Sequence, residues 1–346
     1  MLSELLTAGI TLSAVGLIFG LLLGLAGKVF KSETSEQTLL IRNALPGANC
    51  GGCGFAGCDQ FAAAVCAGEA PVNGCPVGGT AVAKKIAAIM GQDAGEVDPM
   101  NRMVANVICR GSAEYCRTKY NYSGITDCTA ASTVSDGTKS CHYACLGLGT
   151  CVSACEFGAL HINEAARLVE VDRDKCTGCG ACTKVCPKKV LDLQPYSRPV
   201  RLLCHANERG RVITDNCKAG CFSCGKCVQA CKFGAIEMQS NLPKIDTEKC
   251  VGCMMCAEAC PTGAIWADWD NRLEAVINGK ECIGCSICKK QCHFDAIIGE
   301  RKHPHFVTNA CTGCSACAAK CPKKCISMKT RLHYRDQAGE GAPQEA

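Results

Sequence analysis

Residues 250–260 read CVGCMMCAEAC, and this short run decides how the chain is built. Its cysteines follow the spacing C-x2-C-x2-C-x3-C, which is the ligand run of bacterial two-cluster ferredoxins. Three closely spaced thiolates hold three irons of one [4Fe–4S] cube, and the fourth thiolate binds the neighbouring cube. Zinc sites normally use separated pairs of ligands, so a third cysteine so close by argues against zinc. The run therefore predicts iron–sulfur clusters.

The same run recurs along the chain on both sides of residues 250–260. The five regular copies are Cys176-Cys179-Cys182-Cys186, Cys221-Cys224-Cys227-Cys231, Cys250-Cys253-Cys256-Cys260, Cys282-Cys285-Cys288-Cys292 and Cys311-Cys314-Cys317-Cys321. A sixth copy is stretched to C-x3-C-x5-C-x3-C, at Cys141-Cys145-Cys151-Cys155. An apolar segment follows each fourth cysteine, as at 235–238, and a second one follows a turn, as at 243–246. Each repeat is therefore predicted to carry a hairpin strand of an α+β, ferredoxin-like unit.

The copies form pairs, because the gaps within pairs are nearly constant. Eighteen residues separate Cys231 from Cys250 and Cys292 from Cys311, and twenty separate Cys155 from Cys176. Three two-cluster units in tandem are predicted, with the fourth cysteine of each run crossing to the partner cube. The predicted ligand sets are Cys141, Cys145, Cys151 and Cys186; Cys176, Cys179, Cys182 and Cys155; Cys221, Cys224, Cys227 and Cys260; Cys250, Cys253, Cys256 and Cys231; Cys282, Cys285, Cys288 and Cys321; and Cys311, Cys314, Cys317 and Cys292.

A seventh cluster site is predicted nearer the N-terminus, within NCGGCGFAGC at 49–58. Its ligands are Cys50, Cys53, Cys58 and Cys75. The glycines between them let the backbone pass close to a cube without side-chain clashes. Seven [4Fe–4S] clusters are therefore expected.

Seven cysteines remain outside these sets, and one of them, Cys116, has no predicted role. Cys66 and Cys325 are interpreted as small packing residues. Cys109, Cys128, Cys204 and Cys217 leave an eighth cluster open as a possibility.

The composition supports electron transfer and argues against other chemistry. The chain has 346 residues, of which 35 are cysteine, and its aromatic content is only 5%. An odd cysteine count does not fit a complete disulfide framework. Neither a dinucleotide-binding G-x-G-x-x-G after a strand nor a P-loop occurs in the sequence after the first apolar stretch. Seven cubes of about −2 each would change the formal charge of +5 to about −9.

Residues 5–27 contain no charged side chain and predict a membrane anchor. They would form a helix of roughly 34 Å at about 1.5 Å per residue, enough to cross a bilayer. Lys28 and Lys31 follow this stretch, which places the following domains in the cytoplasm. A cleaved signal peptide is the alternative. A signal peptide has a positive charge before its apolar stretch, but the only charged side chain there is the acidic Glu4. Glycine recurs at every fourth position of this stretch, at Gly16, Gly20 and Gly24. This spacing either serves close packing against another membrane helix or reflects the high frequency of glycine in such helices.

The sequence thus predicts seven segments, from a single transmembrane helix to a flexible tail. They are the anchor 1–27, a membrane-proximal 4Fe-4S domain 28–95, a connector 96–140 with possible extra ligands, ferredoxin-like units at 141–199, 200–271 and 272–330, and a tail 331–346.

The motifs together resemble a known family. The order of motifs is similar to that of the B subunit of the Rnf complex in its long, multi-ferredoxin form. The matching motifs are an anchor, then CGGCGFAGC and GCP, then CLGLGTCVSAC and CTGCGACTKVCP. The Rnf complex is an ion-translocating ferredoxin:NAD+ oxidoreductase of bacterial membranes. The resemblance covers nearly the whole chain up to about residue 330.

The resemblance implies an enzyme subunit that does no substrate chemistry beyond electron transfer. It would accept electrons from reduced soluble ferredoxin and relay them to membrane, NAD-binding and flavin-binding partner subunits. It implies a single-pass protein of the plasma membrane, in contact with the lipid bilayer and with no nucleic acid. Na+ and H+ both remain open as the translocated ion. A wiring subunit of another membrane oxidoreductase and a cluster carrier are the alternatives.

Overall fold

The structure is a computed structural model that describes residues 2–29, 35–95 and 101–330. The chain divides into two compact units, Met1–Glu96 and Val97–Ala346. The predicted tail at 331–346 and Lys31 lie outside the described residues, as does the side chain of Lys28.

The first unit begins with helix α1 (Leu2–Val29), which is 28 residues long. It contains the uncharged stretch at 5–27 and the three regularly spaced glycines. Among the described residues, no helix combines the length and the apolar character needed to cross a membrane. The single-pass anchor stays a prediction.

Three further helices of the first unit surround a small apolar core. They are α2 (Glu36–Ala44), α3 (Cys58–Cys66) and α4 (Gly79–Met90). The hydroxyl oxygen of Ser35 accepts a hydrogen bond from the Thr38 amide at 3.1 Å, which caps the start of α2. Gly91 ends α4 in the left-handed conformation, with φ +63°. The core side chains of the three helices are fully buried: Ile41, Phe61 and Ile86.

Between residues 101 and 330, the second unit contains six two-stranded antiparallel sheets, which form three similar pairs. In each pair, the first and last strands of a ferredoxin-like segment form one sheet and the two middle strands form a hairpin. The first pair is β1 (Met103–Val107) with β4 (Leu191–Pro195), and β2 (Leu160–Asn163) with β3 (Leu168–Val171). The second is β5 (Val200–Leu202) with β8 (Ile265–Ala267), and β6 (Ile236–Gln239) with β7 (Leu242–Ile245). The third is β9 (Leu273–Ile277) with β12 (Ile326–Thr330), and β10 (Ile297–Ile298) with β11 (Phe306–Val307).

The predicted hairpin around residues 235–246 is confirmed as β6 and β7. Ile236 lies opposite Ile245, and both side chains are buried, whereas the intervening Glu237 faces solvent. Alternation of apolar and polar residues therefore turns one face of each hairpin toward the cysteines.

Short helices present the cysteines to the interior of each segment. The third cysteine of every run lies inside such a helix and is buried: Cys151, Cys182, Cys227, Cys256, Cys288 and Cys317. These helices are α6 (Thr150–Ser153), α7 (Ala181–Val185), α9 (Lys226–Ala230), α10 (Met255–Glu258), α11 (Ile287–Gln291) and α12 (Ala316–Ala319). Two more helices, α5 (Cys128–Thr133) and α8 (Arg211–Asn216), lie between a first strand and its cluster run.

Polar contacts join successive ferredoxin-like segments. The buried guanidinium of Arg201 on β5 donates to the Asn106 side chain on β1 at 2.8 Å and lies 3.9 Å from the Trp266 ring centroid. Further along, the Lys232 ammonium donates to the backbone carbonyl of His293. The three segments are thus in direct contact within the second unit.

Candidate iron–sulfur centres

The four predicted ligands of the first unit surround one cavity. Cys50, Cys53, Cys58 and Cys75 line a space of about 330 Å³ together with apolar side chains such as Phe61. Burial raises the pKa of the Cys75 thiol, and charges on Cys53 and Cys58 add to this effect. The structure therefore brings together all four residues predicted for this site.

Hydrogen bonds position the cysteine loops of this site. The Asn49 side-chain oxygen accepts the Cys58 amide at 2.8 Å, in place of a side-chain cap on α3. The Gly78 amide donates to the Cys75 sulfur at 3.4 Å. Arg42 holds Asp59 at the start of α3 through a 2.7 Å ion pair, so α2 and α3 are linked beside the cavity. Amide donors to ligand sulfur are among the factors that set a cluster's potential.

Two predicted sites of the ferredoxin-like segments also appear as cavities of closely similar size. Cys221, Cys224, Cys227 and Cys260 line about 340 Å³. Cys282, Cys285, Cys288 and Cys321 line about 330 Å³. In both, three cysteines come from one run and the fourth comes from the next, which is the crossover arrangement.

The other crossover sets are indicated by which cysteines raise one another's pKa. Burial raises the pKa of Cys182 to about 12, and charges on Cys176, Cys179 and Cys155 add to it. Burial raises the pKa of Cys317 to about 11, with contributions from Cys311, Cys314 and Cys292. Both groups of four match the predicted ligand sets. For Cys256, with a pKa raised by burial to about 12, the neighbours are Cys250, Cys253, Cys227 and Cys231.

One predicted set is grouped differently in the structure. A cavity of about 330 Å³ is lined by Cys145, Cys151 and Cys186, as expected, but the fourth cysteine at its wall is Cys128 and not Cys141. Burial raises the pKa of Cys151 to about 12, followed by charges on Cys145 and Cys128. Cys128 therefore occupies the place that the sequence analysis gave to Cys141.

A capping interaction explains the position of Cys128. Asp127 caps α5 by accepting the Ala130 amide at 2.8 Å, and the same carboxylate accepts the Thr150 hydroxyl at 2.9 Å. The Thr150 hydroxyl oxygen in turn accepts the Cys128 amide at 2.7 Å. Because Thr150 immediately precedes Cys151, these bonds fix the start of α5 beside the α6 helix that carries Cys151.

Cys141 faces a different group of residues. It lines a separate cavity of about 350 Å³ together with Cys109, Cys204 and Cys217. Burial raises its pKa to about 12, and the charges that add to this come from Cys116, Cys109 and Cys204. The irregular spacing of its run was the sequence signal that Cys141 has a different role. The other cysteines of the run, Cys145, Cys151 and Cys155, keep the positions of cysteines in a regular copy.

The residues fit iron–sulfur cubes in donor chemistry, because each group supplies cysteine thiolates. Among the described residues, no group of three or more His, Cys, Asp or Glu side chains is close enough to hold a single metal ion. Tetrahedral zinc would bring its sulfur ligands within about 3.8 Å of one another, given bonds of about 2.3 Å. A cube spaces its four thiolates further apart, since each binds a different iron. Recurrent amide donors complete the sites: Ala159, Ala235 and Ala296 donate to Cys155, Cys231 and Cys292 at 3.4, 3.3 and 3.3 Å.

Family models match most of the cysteine-bearing chain. A putative Fe-S cluster model matches residues 45–77, and 4Fe-4S dicluster models match 139–190 and 275–328. Models of 4Fe-4S binding domains match 221–235 and 243–266. The chain therefore contains several 4Fe-4S ferredoxin-type domains with mixed helix and strand, and it binds multiple [4Fe–4S] clusters.

Curated relatives show the family. The chain is 42% identical over 250 residues to the B subunit of the Na(+)-translocating ferredoxin:NAD(+) oxidoreductase complex of Acetobacterium woodii, covering 72% of this chain and 74% of that protein. It belongs to the family of B subunits of ion-translocating oxidoreductase complexes. A member from Methanosarcina acetivorans is 43% identical, covering 72% of this chain and 93% of its own length. The B subunit of the proton-translocating ferredoxin:NAD(+) oxidoreductase complex of Clostridium ljungdahlii is 40% identical, covering 70% and 84%.

The family assignment agrees with the resemblance found in the sequence and makes this chain an iron–sulfur electron-transfer subunit of an oxidoreductase complex. A solved formate dehydrogenase–heterodisulfide reductase–formylmethanofuran dehydrogenase complex of Methanospirillum hungatei contains a chain that is 23% identical, covering 51% of this chain and 73% of its own, with a TM-score of 0.23. That similarity is too low to inform the fold.

Proposed function

We propose that this subunit accepts electrons from reduced soluble ferredoxin and relays them, one at a time, to partner subunits that reduce NAD+ while Na+ or H+ is translocated. The observation that carries the proposal is the repetition of four-cysteine groups along the chain. Each group has the thiolate donors of a [4Fe–4S] cluster, and each is covered by a hairpin or a helix. Each transfer reduces one cluster core from 2+ to 1+ while the preceding one returns to 2+.

Seven clusters are proposed with ligands that keep the predicted sets except at one position. Cys128 replaces Cys141 at the first ferredoxin-like site, for the reasons of geometry given above. The proposed sets are Cys50, Cys53, Cys58 and Cys75; Cys128, Cys145, Cys151 and Cys186; Cys155, Cys176, Cys179 and Cys182; Cys221, Cys224, Cys227 and Cys260; Cys231, Cys250, Cys253 and Cys256; Cys282, Cys285, Cys288 and Cys321; and Cys292, Cys311, Cys314 and Cys317.

The arrangement supports a continuous relay within the second unit. Each ferredoxin-like segment holds two cysteine groups that exchange a ligand, so their clusters are neighbours. Successive segments also approach one another: the charge on Cys314 in the third segment contributes, after burial and the nearer cysteines, to the raised pKa of Cys253 in the second. Electrons entering at one segment therefore have a path of adjacent groups to the next.

The N-terminal helix is proposed as the attachment to the membrane. Large side chains between Ile10 and Leu25 are exposed, among them Leu17 at 70% and Leu23 at 71%. Exposed apolar surface of this extent needs lipid or another apolar partner to be stable in water. Deleting residues 1–34 should move the chain from the membrane fraction to the soluble fraction. If the full-length chain, expressed by itself, stays soluble, the proposed attachment is wrong.

The central test is reduction of the anaerobically purified full chain by reduced ferredoxin. We expect the visible absorbance of the clusters to fall and EPR signals of reduced clusters to appear, with several electrons accepted per chain. Dithionite serves as the reference, because it reports the clusters present without needing a docking surface. Clusters that dithionite reduces at once and ferredoxin leaves oxidised would refute ferredoxin as the donor.

A further inference from the structure

Two of the three ferredoxin-like segments carry an insertion at the same place. In the third segment, the cluster run begins at Cys282, shortly after β9 ends at Ile277. In the first and second segments, a long stretch separates the first strand from its cluster run. Each of these stretches begins in the same way, with a cysteine two residues after the strand: Cys109 after β1 and Cys204 after β5. The ferredoxin pattern uses neither cysteine.

The two insertions meet in space. Cys116 in the first insertion forms an antiparallel bridge with Cys217 in the second, and the Lys218 amide donates to the Tyr115 carbonyl at 2.9 Å. At Gly111, an added Cβ atom would lie 3.6 Å from the sulfur of Cys109 and also 3.6 Å from the sulfur of Cys217. Cysteines separated by more than a hundred residues therefore point toward the same small region.

The meeting place encloses a cavity of the size found at the other cluster sites. It measures about 350 Å³ and is lined by Cys109, Cys141, Cys204 and Cys217. The four other cavities with cluster ligands measure about 330 to 340 Å³, and each is also lined by four cysteines of a proposed set. The remaining wall is mainly apolar and includes Ile213. Four thiols around a mainly apolar pocket provide the donor set of a [4Fe–4S] cube.

Both ring nitrogens of the histidine that lines this cavity lie close to backbone carbonyl oxygens. His205 Nδ1 lies 3.0 Å from the carbonyl oxygen of Ile108, and Nε2 lies 3.0 Å from that of Lys188. Neither ring nitrogen is therefore directed at the cavity, and the ligands must be the cysteines.

A buried positive charge stands beside the four cysteines. Lys139 is only 2% exposed, and its ammonium donates to the carbonyls of Gly111 and Arg167 at 2.7 and 2.9 Å. Gly111 is the residue whose added Cβ atom would lie 3.6 Å from both the Cys109 and the Cys217 sulfur, so the ammonium is close to these two cysteines. A buried ammonium is costly unless an anion compensates it. A cube with four thiolates carries a charge of about −2 and would supply that compensation.

Backbone donation to sulfur completes the likeness to the other sites. The Cys145 amide donates to the Cys109 sulfur at 3.5 Å, as the Val190 amide donates to the Cys186 sulfur at 3.5 Å. Because Cys145 is itself a proposed ligand of the first ferredoxin-like cluster, this bond also places the new cavity next to that cluster. On the other side, Leu203 lines the new cavity, and its amide donates at 2.7 Å to the carbonyl of Ala264, which lines the cavity of Cys221 in the second segment.

We propose that Cys109, Cys141, Cys204 and Cys217 bind an eighth [4Fe–4S] cluster, located between the first and second ferredoxin-like segments. Its role as a relay between those segments rests on the proposed function, whereas its existence as a metal site does not. Cys116 is not counted among its ligands, because it does not line the cavity.

Iron and sulfide analysis of the anaerobically purified full chain tests the proposal directly. Eight cubes require about 32 iron atoms per chain and seven require about 28. Mössbauer spectra then show whether all the iron is in [4Fe–4S] clusters. A wild-type value near 28 would overturn the proposal. This measurement needs no variant and is independent of reduction by ferredoxin, so it separates failure of the site from failure of the proposed function.

Paired substitutions test which cysteines share a cluster. Cys204→Ala with Cys217→Ala should lose about four irons, because both residues hold the same cube. Cys141→Ala with Cys145→Ala should lose about eight, because the structure assigns these neighbours to different cubes. A loss of only four in the Cys141/Cys145 variant, with full iron in the Cys204/Cys217 variant, would refute the assignment. Cys66→Ala is the matched control and should keep all the iron.

Discussion

Gly313, inside the loop between Cys311 and Cys314, should be intolerant of any side chain. Its φ is +72°, and a Cβ atom there would stand 2.1 Å from the carbonyl oxygen of Leu273. Alanine would incur about 1–2 kcal/mol for the left-handed conformation alone. To restore an ordinary contact, the strand β9 must also retreat by more than about 1 Å, which adds about 1–3 kcal/mol of overpacking.

Gly225 provides a control with nearly the same φ and no clash. Its φ is +74°, and nothing lies within 4 Å of its virtual Cβ. The equivalent positions of three other runs hold non-glycine residues with positive φ, among them Met254 at 64° and Ser315 at 60°. Gly225→Ala should therefore show only the conformational cost of about 1–2 kcal/mol. The difference between the two variants isolates the contact with the Leu273 carbonyl.

The assay is release of iron and loss of cluster absorbance in guanidinium under anaerobic conditions. Gly313→Ala should release its clusters up to about 5- to 150-fold faster than Gly225→Ala, which corresponds to about 1–3 kcal/mol. Gly252→Ala should fall between them, since its Cβ would meet a proline ring carbon at 3.0 Å. Equal rates of iron release for Gly313→Ala and Gly225→Ala would refute the reasoning. The contact with strand β9 would then add nothing to the cost of the left-handed backbone conformation.

Two further predictions concern the partners. Lys323→Glu with Lys324→Glu should slow reduction by ferredoxin and flatten its dependence on salt, because these exposed lysines follow a cluster ligand and would attract an acidic donor over about 8–10 Å. Stopped-flow reduction at several salt concentrations measures this effect. Gly20→Leu should weaken copurification with membrane partners while leaving the iron content unchanged, because a larger side chain prevents close helix approach.

Matched variants separate these effects from general damage. Lys84→Glu with Lys85→Glu makes the same charge change on an exposed face of α4 and should leave ferredoxin kinetics nearly unchanged. If it slows reduction as much as the change at 323 and 324, the steering surface lies elsewhere. Ala14→Leu enlarges another face of α1 and should preserve copurification. Intact copurification of the Gly20 variant would remove the packing hypothesis.

Much of this protein is determined by local sequence. Each regular run places three cysteines within seven residues, so a short loop and one helical turn are sufficient to arrange them around a cube. The hairpins follow from alternation of apolar and polar residues, as at Ile236 and Ile245. The nearly constant gap identifies the pairs of runs, and the crossing of every fourth cysteine follows from the ferredoxin ligand pattern. These features depend on nearby residues, and the sequence therefore predicted them.

The choice between Cys128 and Cys141 was decided only by tertiary structure. Both precede Cys145, and spacing favours Cys141, which is nearer. Loop-closure entropy rises only slowly with length, so the longer connection to Cys128 is hardly penalised. The bonds among Asp127, Cys128 and Thr150 then outweigh proximity in sequence. Once Cys128 takes that place, Cys141 is free to face Cys204 across the junction of two segments, a contact that no local spacing rule contains.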